Sequence, residues 1–367
     1  MSELPKPAAP EEHVGTQRRA VTLGVVSVLV LGLGLVSTRL AVPYVALKPG
    51  PTMNTIGTSD VTKKPLIEIT GHPVYPDDGH LNFTTVAYTG GPEHPLDLYS
   101  ALRDWLNSDT AVVPEETIFP KGETVKQVED DNTLQMADSQ ETAVAAALTQ
   151  LKQPISTVSA VQTVQKDLPA EEKLKPGDEI LAVDGVRSDR TGGITAEMKK
   201  HKAGDTVTLT IRRDGREQDV KLTTVASPQA GAESRPVIGV VLRDHYKFPF
   251  SVKISVGDIG GPSAGLMFSL GIYDLLTPGT LTGGRFIAGT GTITTEGQVG
   301  PIGGIQQKMI AARRAGAAVF LVPPGNCAEA KGAAPGGLKL VKAETLDSAV
   351  KALEAVHANA GAVLPGC

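Results

Sequence analysis

The sequence has few aromatic side chains, few cysteines and no excess of positive charge. Of its 367 residues only 4% are aromatic, Trp105 is the single tryptophan, and the formal net charge is −5. These figures exclude a nucleic-acid binder that works by aromatic stacking or by bulk positive charge. The two cysteines, Cys327 and Cys367, are too few for a four-thiolate zinc site, and the sequence contains no HExxH motif. We therefore expect no metal and no cofactor.

Glycine and proline are abundant. The chain has 40 glycines and 26 prolines, with 41% hydrophobic and 20% charged residues. This hydrophobic content excludes a disordered chain, and the frequent turn-forming residues favour many short strands over a helical bundle. The length predicts two or three domains, and the strand and helix patterns described below predict a mixed α/β (α+β) class.

One long uncharged run lies near the N-terminus. Residues 20–38 contain no charged side chain, and a helix of this length reaches about 28 Å, close to the thickness of a bilayer core. The run predicts a single transmembrane helix in the cell membrane, with residues 1–19 as a cytoplasmic tail. Arg18 and Arg19 before the run favour an extracytoplasmic body. The alternative is a cleaved signal peptide.

An extracytoplasmic body leaves two interpretations for the cysteines. Cys327 and Cys367 form a disulfide in an oxidising compartment, or Cys327 is a small core residue and Cys367 a free thiol at the C-terminus.

The sequence predicts an α/β region over residues 40–153. Apolar and polar residues alternate between 66 and 88, which predicts strands. Residues 95–106 and 139–151 have the spacing of amphipathic helices, and Ser139 is the predicted N-cap of the second.

Residues 155–226 form a β-rich unit. Two alternating runs flank Asp214-Gly215, which predicts a hairpin. The segment Leu174–Gly185 (LKPGDEILAVDG), followed by a helical pattern and GDTVTLTI, resembles PDZ domains. The resemblance implies a groove that binds an extended polypeptide as an added strand. Residues 161–168 stand where the family has its carboxylate-binding loop but lack the expected glycines. The alternative is a PDZ-like unit used only as a spacer.

The candidate catalytic residues begin with a serine at position 263. A predicted strand at 250–256 leads through Gly261 and Pro262 into a helical pattern, so Ser263 lies at a helix N-terminus. Free backbone N–H groups converge there, and we expect residues 261–264, ending at Ala264, to form the oxyanion region for a serine nucleophile.

A candidate base follows 45 residues later. Helical spacing from Ile305 places Lys308 on the same stripe as Met309 and Ala312. A lysine facing a core loses hydration, and its pKa falls towards the range where the neutral amine can accept a proton. The alternative is a lysine whose amine extends from the helix flank to water.

The two segments together resemble the proteolytic domain of the Lon family of serine proteases. The residues that carry the resemblance are GPSAG at 261–265, a TG-containing strand at 288–293 and GQVGPIGG followed by Lys308. The resemblance extends over Val237–Leu353 and implies a Lon-type domain at 235–358.

This resemblance implies a role for several residues. Ser263 is the nucleophile, Lys308 the general base, and Thr290 a supporting hydroxyl. The family has an acid where this chain has Gly260, and Asp258 is the candidate substitute.

The whole arrangement resembles the YlbL family of membrane-anchored bacterial proteins. No GxxxxGK[ST] phosphate loop occurs, so we expect an ATP-independent endopeptidase with a Ser-Lys dyad. Its expected substrates are unfolded or membrane-proximal polypeptides, and the Lon resemblance implies a homo-oligomeric ring. Two alternatives are a catalytically idle PDZ-type scaffold and a small-molecule kinase with GGPSAGL as its phosphate cradle.

Overall fold

The computed structural model describes residues 13–58, 63–227, 235–359 and 363–367. In chain order, its first part consists of α1 (His13–Ser37), β1 (Ala41–Val42), β2 (Tyr44–Asn54), β3 (Ile67–Thr70), β4 (His80–Gly90), β5 (Leu96–Asp97), α2 (Leu98–Trp105), β6 (Ala111–Pro114), a 3₁₀ turn (Glu115–Thr117) and α3 (Val125–Gln150).

Helix α1 contains most of the apolar run that the sequence predicts to be a membrane anchor. A single crossing requires about 20 predominantly apolar residues in one helix. Among the described residues, no helix meets the combined requirement of length and hydropathy. The structure therefore does not support the predicted transmembrane helix over 20–38. Residues 1–12 of the predicted cytoplasmic tail lie outside the described residues.

Helix α3 begins earlier than its sequence pattern indicates. The prediction of a helix over 139–151 with Ser139 as N-cap is wrong, because the helix spans Val125–Gln150. Its true N-cap is Thr124, which forms a reciprocal capping box with Gln127. Ser139 therefore lies inside the helix, where it is buried.

The second part is a five-stranded sheet with one extra short strand, a separate two-stranded pair (β12 and β13) and a helix. It consists of β7 (Ser156–Val164), β8 (Glu179–Val183), β9 (Val186–Arg187), α4 (Thr191–Met198), β10 (Thr206–Arg213), β11 (Arg216–Thr223), β12 (Val225–Ala226), β13 (Pro236–Val237) and β14 (Val240–Lys247).

The strand order in this sheet is β11-β10-β8-β7-β14, with β9 paired to β8. The hairpin between β10 and β11 turns at Asp214 and Gly215, which both have positive φ (50° and 78°). Such a pair of left-handed residues is the turn that Asp-Gly favours, as the sequence predicts. The apolar core of this part includes Leu174, Ile180, Ile194, Val207, Leu209, Ile211 and Leu222.

The third part completes an α/β unit. It consists of β15 (Ser251–Ile254), α5 (Gly265–Leu276), β16 (Phe286–Gly289), β17 (Thr292–Ile293), β18 (Val299–Gly300), α6 (Ile305–Ala315), β19 (Val319–Val322), a second 3₁₀ turn (Pro324–Asn326), α7 (Cys327–Gly332), β20 (Lys339–Lys342) and α8 (Leu346–Ala358).

One six-stranded sheet joins the first and third parts. Its order is β20-β19-β16-β4-β2-β6, with β4, β16, β19 and β20 parallel to one another. Helices α3, α5 and α8 share one core with this sheet, including Phe83, Leu148, Phe268 and Leu353. The β7–β14 sheet is therefore inserted between two segments of a single α/β unit.

The predicted boundaries at 40–153, 155–226 and 235–358 stay predictions. However, strands from different predicted domains pair in the same sheet. Strands β2 and β4 from the first range pair into the sheet of the last, and β14 from the last range pairs with β7. Sequence patterns cannot show this, because it depends on contacts between segments far apart in the chain.

Cys327 and Cys367 form a disulfide across a sequence separation of 40 residues. Of the two interpretations left open by the sequence, the structure contains the paired one. Cys327 begins α7, directly after the 3₁₀ turn, so the bond fastens the C-terminal residues to this part of the unit.

Removing this disulfide should lower the free energy of unfolding by about 3 to 4 kcal/mol, because a cross-link of this span restricts the unfolded chain. The measurement is chemical denaturation of the wild type and of a variant with both Cys327→Ser and Cys367→Ser. Reductant should destabilise the wild type and leave the variant unchanged. Two titratable thiols in the unreduced wild type would contradict the prediction.

Candidate active site

Ser263 lies on the loop before α5, and hydrogen bonds to α3 hold this loop in place. Gly261 has a positive φ of 86° and donates its N–H to the carbonyl of Asn132 at 2.8 Å. A Cβ atom on Gly260 would lie 2.8 Å from the Cβ of Asn132. An acidic side chain does not fit at Gly260, which gives a physical reason for the departure from the Lon pattern at this position.

A second contact from α3 fixes the next residue of the loop. The hydroxyl of Ser139 donates to the carbonyl of Pro262 at 3.0 Å. A Cβ atom on Gly265 would lie 3.1 Å from that hydroxyl oxygen, so Gly265 allows α3 and the start of α5 to approach closely.

The carbonyl of Ser263 is held from the opposite side. It accepts the Thr290 hydroxyl at 2.9 Å and the N–H of Gly291 at 2.9 Å. Both donors belong to the segment between β16 and β17, which is the TG-containing strand region singled out in the sequence. The backbone on either side of Ser263 is therefore fixed by hydrogen bonds.

Lys308 enters the site from α6. That helix begins after Gly304, whose φ of 66° is in the left-handed region. The side chain of Lys308 is almost fully buried, with 3% of the residue exposed. Its Nζ lies 2.6 Å from Ser263 Oγ, 3.0 Å from the carbonyl oxygen of Thr84 and 3.2 Å from Thr290 Oγ1.

Burial lowers the pKa of Lys308 from its ordinary 10.5 to about 7. The physical cause is loss of hydration, which disfavours the ammonium form. A neutral amine has two N–H donors and one lone pair. The geometry suits donation to the Thr84 carbonyl and the Thr290 hydroxyl, with the lone pair directed at the hydroxyl of Ser263.

The backbone N–H groups around Ser263 differ in whether a protein acceptor already binds them. Within the described ranges, the N–H groups of Ser263 and Ala264 have no hydrogen-bond acceptor in the protein. Pro262 has no N–H, and that of Gly261 is bonded to Asn132. Of the predicted oxyanion region, only Ser263 and Ala264 offer free donors, at the start of the 12-residue helix α5.

A cleft of about 370 Å³ opens onto Ser263. Its far wall is the loop before α6, which Asn326 fixes through two hydrogen bonds of 2.9 Å to the backbone of Ile302. The cleft is lined by Pro262, Ser263, Thr292, Pro301, Ile302 and Gly303.

Asp258 does not join this group. It is exposed, and among the described residues it makes no hydrogen bond or ion pair with Ser263 or Lys308. The described part of the chain also contains no group of three or more His, Cys, Asp or Glu side chains placed to bind a metal. The structure thus brings together Ser263, Lys308 and Thr290, and leaves Asp258 outside.

Three residues contribute to the site in ways that the sequence does not predict. Thr84 acts through its backbone carbonyl, which any residue type supplies, so no sequence signal identifies it. Ser139 and Asn326 act through side chains, but they lie 124 and 63 residues from Ser263 in the sequence. The glycines at 260 and 265 are the one signal in the sequence that another element packs closely against the loop.

Two family models match the chain. Residues 127–224 match the PDZ domain, and residues 238–355 match the Lon protease (S16) C-terminal proteolytic domain. The first match begins inside α3, and the second begins just before β14. The matches support a mixed α/β multidomain protein with a PDZ domain and a serine-type peptidase domain.

Curated relatives include Lon proteases. The chain is 28% identical to Lon protease of Rickettsia felis over 180 residues, which cover 45% of this chain and 23% of that protein. It is 32% identical to Lon protease of Desulforamulus reducens over 154 residues, which cover 41% and 18% respectively. The matched part spans less than a quarter of the length of these relatives. Together with the family models, they support a Lon-type protease with a PDZ domain.

Solved structures include the PDZ domain of an SdrC-like protein from Listeria monocytogenes. It is 25% identical, with a TM-score of 0.22, and the match covers 23% of this chain and 86% of that chain.

Proposed function

We propose that this protein is an ATP-independent serine endopeptidase in which Ser263 and Lys308 form the catalytic dyad. The observation that carries the proposal is the 2.6 Å contact between Lys308 Nζ and Ser263 Oγ in a buried environment. A serine hydroxyl is a weak nucleophile unless an adjacent base accepts its proton, and a buried amine with a pKa of about 7 meets that need.

In the proposed reaction the neutral Lys308 amine takes the hydroxyl proton as Ser263 Oγ attacks the scissile carbonyl. The N–H groups of Ser263 and Ala264 donate to the oxyanion that develops. The ammonium then passes its proton to the leaving amine, and the acyl-enzyme forms. Water hydrolyses the acyl-enzyme by the reverse sequence of proton transfers, with Lys308 again as the base. Thr290 and the Thr84 carbonyl keep the amine oriented throughout.

Independence from ATP is the second element of the proposal. It rests on the absence of a GxxxxGK[ST] loop from the sequence given. Without an unfolding motor, the substrates would be short, flexible or already unfolded polypeptides.

The test is hydrolysis of unfolded casein by the purified protein, with and without ATP. Equal hydrolysis in both conditions, and none by a Ser263→Ala variant, is the expected result. Either an absolute requirement for ATP or full activity of Ser263→Ala would overturn the proposal. Polypeptide binding with no hydrolysis by the wild type would instead favour the idle scaffold.

We further propose that the PDZ unit recruits polypeptide substrates at β14. This strand is an outer member of its sheet, and outer strands offer backbone groups to an added strand. Helix α4 is fastened beside it, because Asp244 on β14 accepts the N–H of Thr191 at 2.6 Å. Asp244 thereby satisfies a free donor at the start of α4 and sets the spacing between helix and strand.

Replacing Asp244 with alanine should raise KM for unfolded casein several-fold and leave kcat for a short peptide unchanged, because only the long substrate uses the groove. Steady-state kinetics on both substrates measures this. Asp219→Ala is the matched control, since Asp219 lies on β11, the opposite outer strand, and accepts a hydrogen bond from the Thr210 hydroxyl on β10. Equal KM values for wild type and Asp244→Ala would argue against recruitment at β14.

Membrane attachment and ring assembly are separate proposals. Attachment rests on the uncharged run at 20–38 and on apolar side chains of α1 that the rest of the chain leaves exposed, such as Leu23 and Leu31. Ring assembly rests on the Lon-type domain alone. Fractionation of cells into membrane and soluble parts tests the first, and mass measurement of the purified protein tests the second.

A further inference from the structure

Two faces of one turn of α3 make different contacts. Ser139 faces the catalytic loop and donates to the Pro262 carbonyl at 3.0 Å. Residues two positions apart on a helix point about 200° away from each other, and Glu141 accordingly faces β14. There it accepts from Arg243 Nη2 at 2.6 Å and from the N–H of Tyr246 at 2.9 Å.

Asp138 belongs to the same face as Glu141, since positions three apart are neighbours on a helix. It forms an ion pair with Arg243, and His245 also contacts the Glu141 carboxylate, at 3.2 Å. The side chain of Arg243 is largely buried, so its two carboxylate partners are poorly replaced by water. This cluster fixes the turn of α3 against the outer strand of the PDZ sheet.

The contact from Ser139 has a particular consequence for the catalytic loop. The carbonyl of Pro262 and the N–H of Ser263 belong to one planar peptide unit and point in opposite directions. Holding the carbonyl therefore fixes the direction of the Ser263 N–H. The following unit is fixed in the same way, because the Ser263 carbonyl accepts from Thr290 and Gly291 while its partner N–H is that of Ala264.

We propose that Ser139 is a positioning residue that orients the Ser263 amide for the oxyanion, and that the Asp138 and Glu141 contacts transmit the position of β14 to it. The inference rests on the proposed peptidase function and deepens it. Ser139 touches no reacting atom. Its effect is on the direction of a backbone donor, and misdirected oxyanion donors reduce kcat with little change in KM.

The test is steady-state hydrolysis of a short peptide that does not need the PDZ groove, using the full chain. For Ser139→Ala we expect about tenfold lower kcat, a KM within twofold of wild type and an unchanged pH profile. Glu141→Gln keeps an acceptor for the Tyr246 N–H and should lower kcat about threefold. The double variant should be no slower than Ser139→Ala, because both changes act on one contact.

Glu129→Gln is the matched control, since Glu129 is an exposed carboxylate on the same helix, and it should match the wild type. Thermal unfolding of each variant corrects kcat for the folded fraction. The inference is overturned if Ser139→Ala retains kcat within twofold, or if the losses from Ser139→Ala and Glu141→Gln multiply in the double variant. Failure of the proposed function gives a different pattern, in which the wild type and Ser263→Ala are indistinguishable.

Discussion

Replacing Lys308 with methionine should abolish peptide-bond hydrolysis, with a loss of about 10³-fold or more. Methionine has a similar length and tolerates burial, but it cannot accept the proton of Ser263. Arginine at the same position should not restore activity, because a guanidinium stays protonated in proteins. The measurement is casein hydrolysis without nucleotide, side by side with the wild type.

Lys331→Met is the control, because Lys331 is an exposed lysine on the neighbouring helix α7. It should retain wild-type activity. The Lys308→Met variant should also remain folded, which thermal unfolding will report. Hydrolysis by Lys308→Met within tenfold of wild type would rule out the amine as the base.

The difference in free energy of unfolding between the wild type and Lys308→Met should change with pH in a known direction. The pKa of Lys308 is about 7 when folded, against an ordinary 10.5, so the unfolded chain binds the additional proton between these values. The wild type therefore gains free energy of unfolding, relative to Lys308→Met, as the pH rises from about 7 to 10.5, and this gain is absent below pH 7.

The rate of hydrolysis should rise with pH and level off above about pH 8. Because the base must be neutral, and its pKa is lowered by burial to about 7, only about one hundredth of the amine is competent at pH 5. We expect kcat/KM at pH 5 to be about a hundred times lower than at the plateau. Measurement of kcat/KM from pH 5 to 9 on a short peptide tests this.

A second group in the same unit titrates in that range and must be separated from the lysine. Burial raises the pKa of Asp274 on α5 to about 7. Its carboxylate accepts the N–H of Leu281 at 2.7 Å and makes no hydrogen bond with Ser263 or Lys308. Asp274→Asn should therefore leave the pH profile unchanged. A profile that is flat in the wild type, or one that becomes flat in Asp274→Asn, would contradict the assignment to Lys308.

Local sequence patterns predicted the parts of the site that are close together in the chain. Ser263 was placed at a helix N-terminus by the glycines and proline around it, and α5 begins at Gly265. The stripe shared with Ile305 and Met309 predicted a core-facing Lys308, and the structure buries it. Both predictions needed only the helical repeat and the chemistry of neighbouring residues.

The parts that escaped prediction depend on contacts across long sequence separations. The polar first half of α3 lacks an amphipathic pattern, so the sequence predicts an N-cap at Ser139, although the helix begins at the capping box of Thr124 and Gln127. Strand β14 pairs with β7, and β4 pairs with β16. These pairings join segments far apart in the chain, so no local pattern predicts them. Asp258 is the acid nearest to Gly260 in the preceding sequence, but it is exposed and lies outside the site.

The insertion of the PDZ sheet within the α/β unit has a consequence for synthesis on the ribosome. Strand β4 emerges early, but its parallel partner β16 follows almost 200 residues later. The intervening unit has its own apolar core and local hairpins, so it can fold first. The Thr84 carbonyl and the Lys308 amine lie 224 positions apart in the chain, so they meet only after the whole intervening unit has been synthesised. The proposed dyad is therefore incomplete in a nascent chain that has not reached α6, and we expect such a chain to be unable to digest itself or its neighbours.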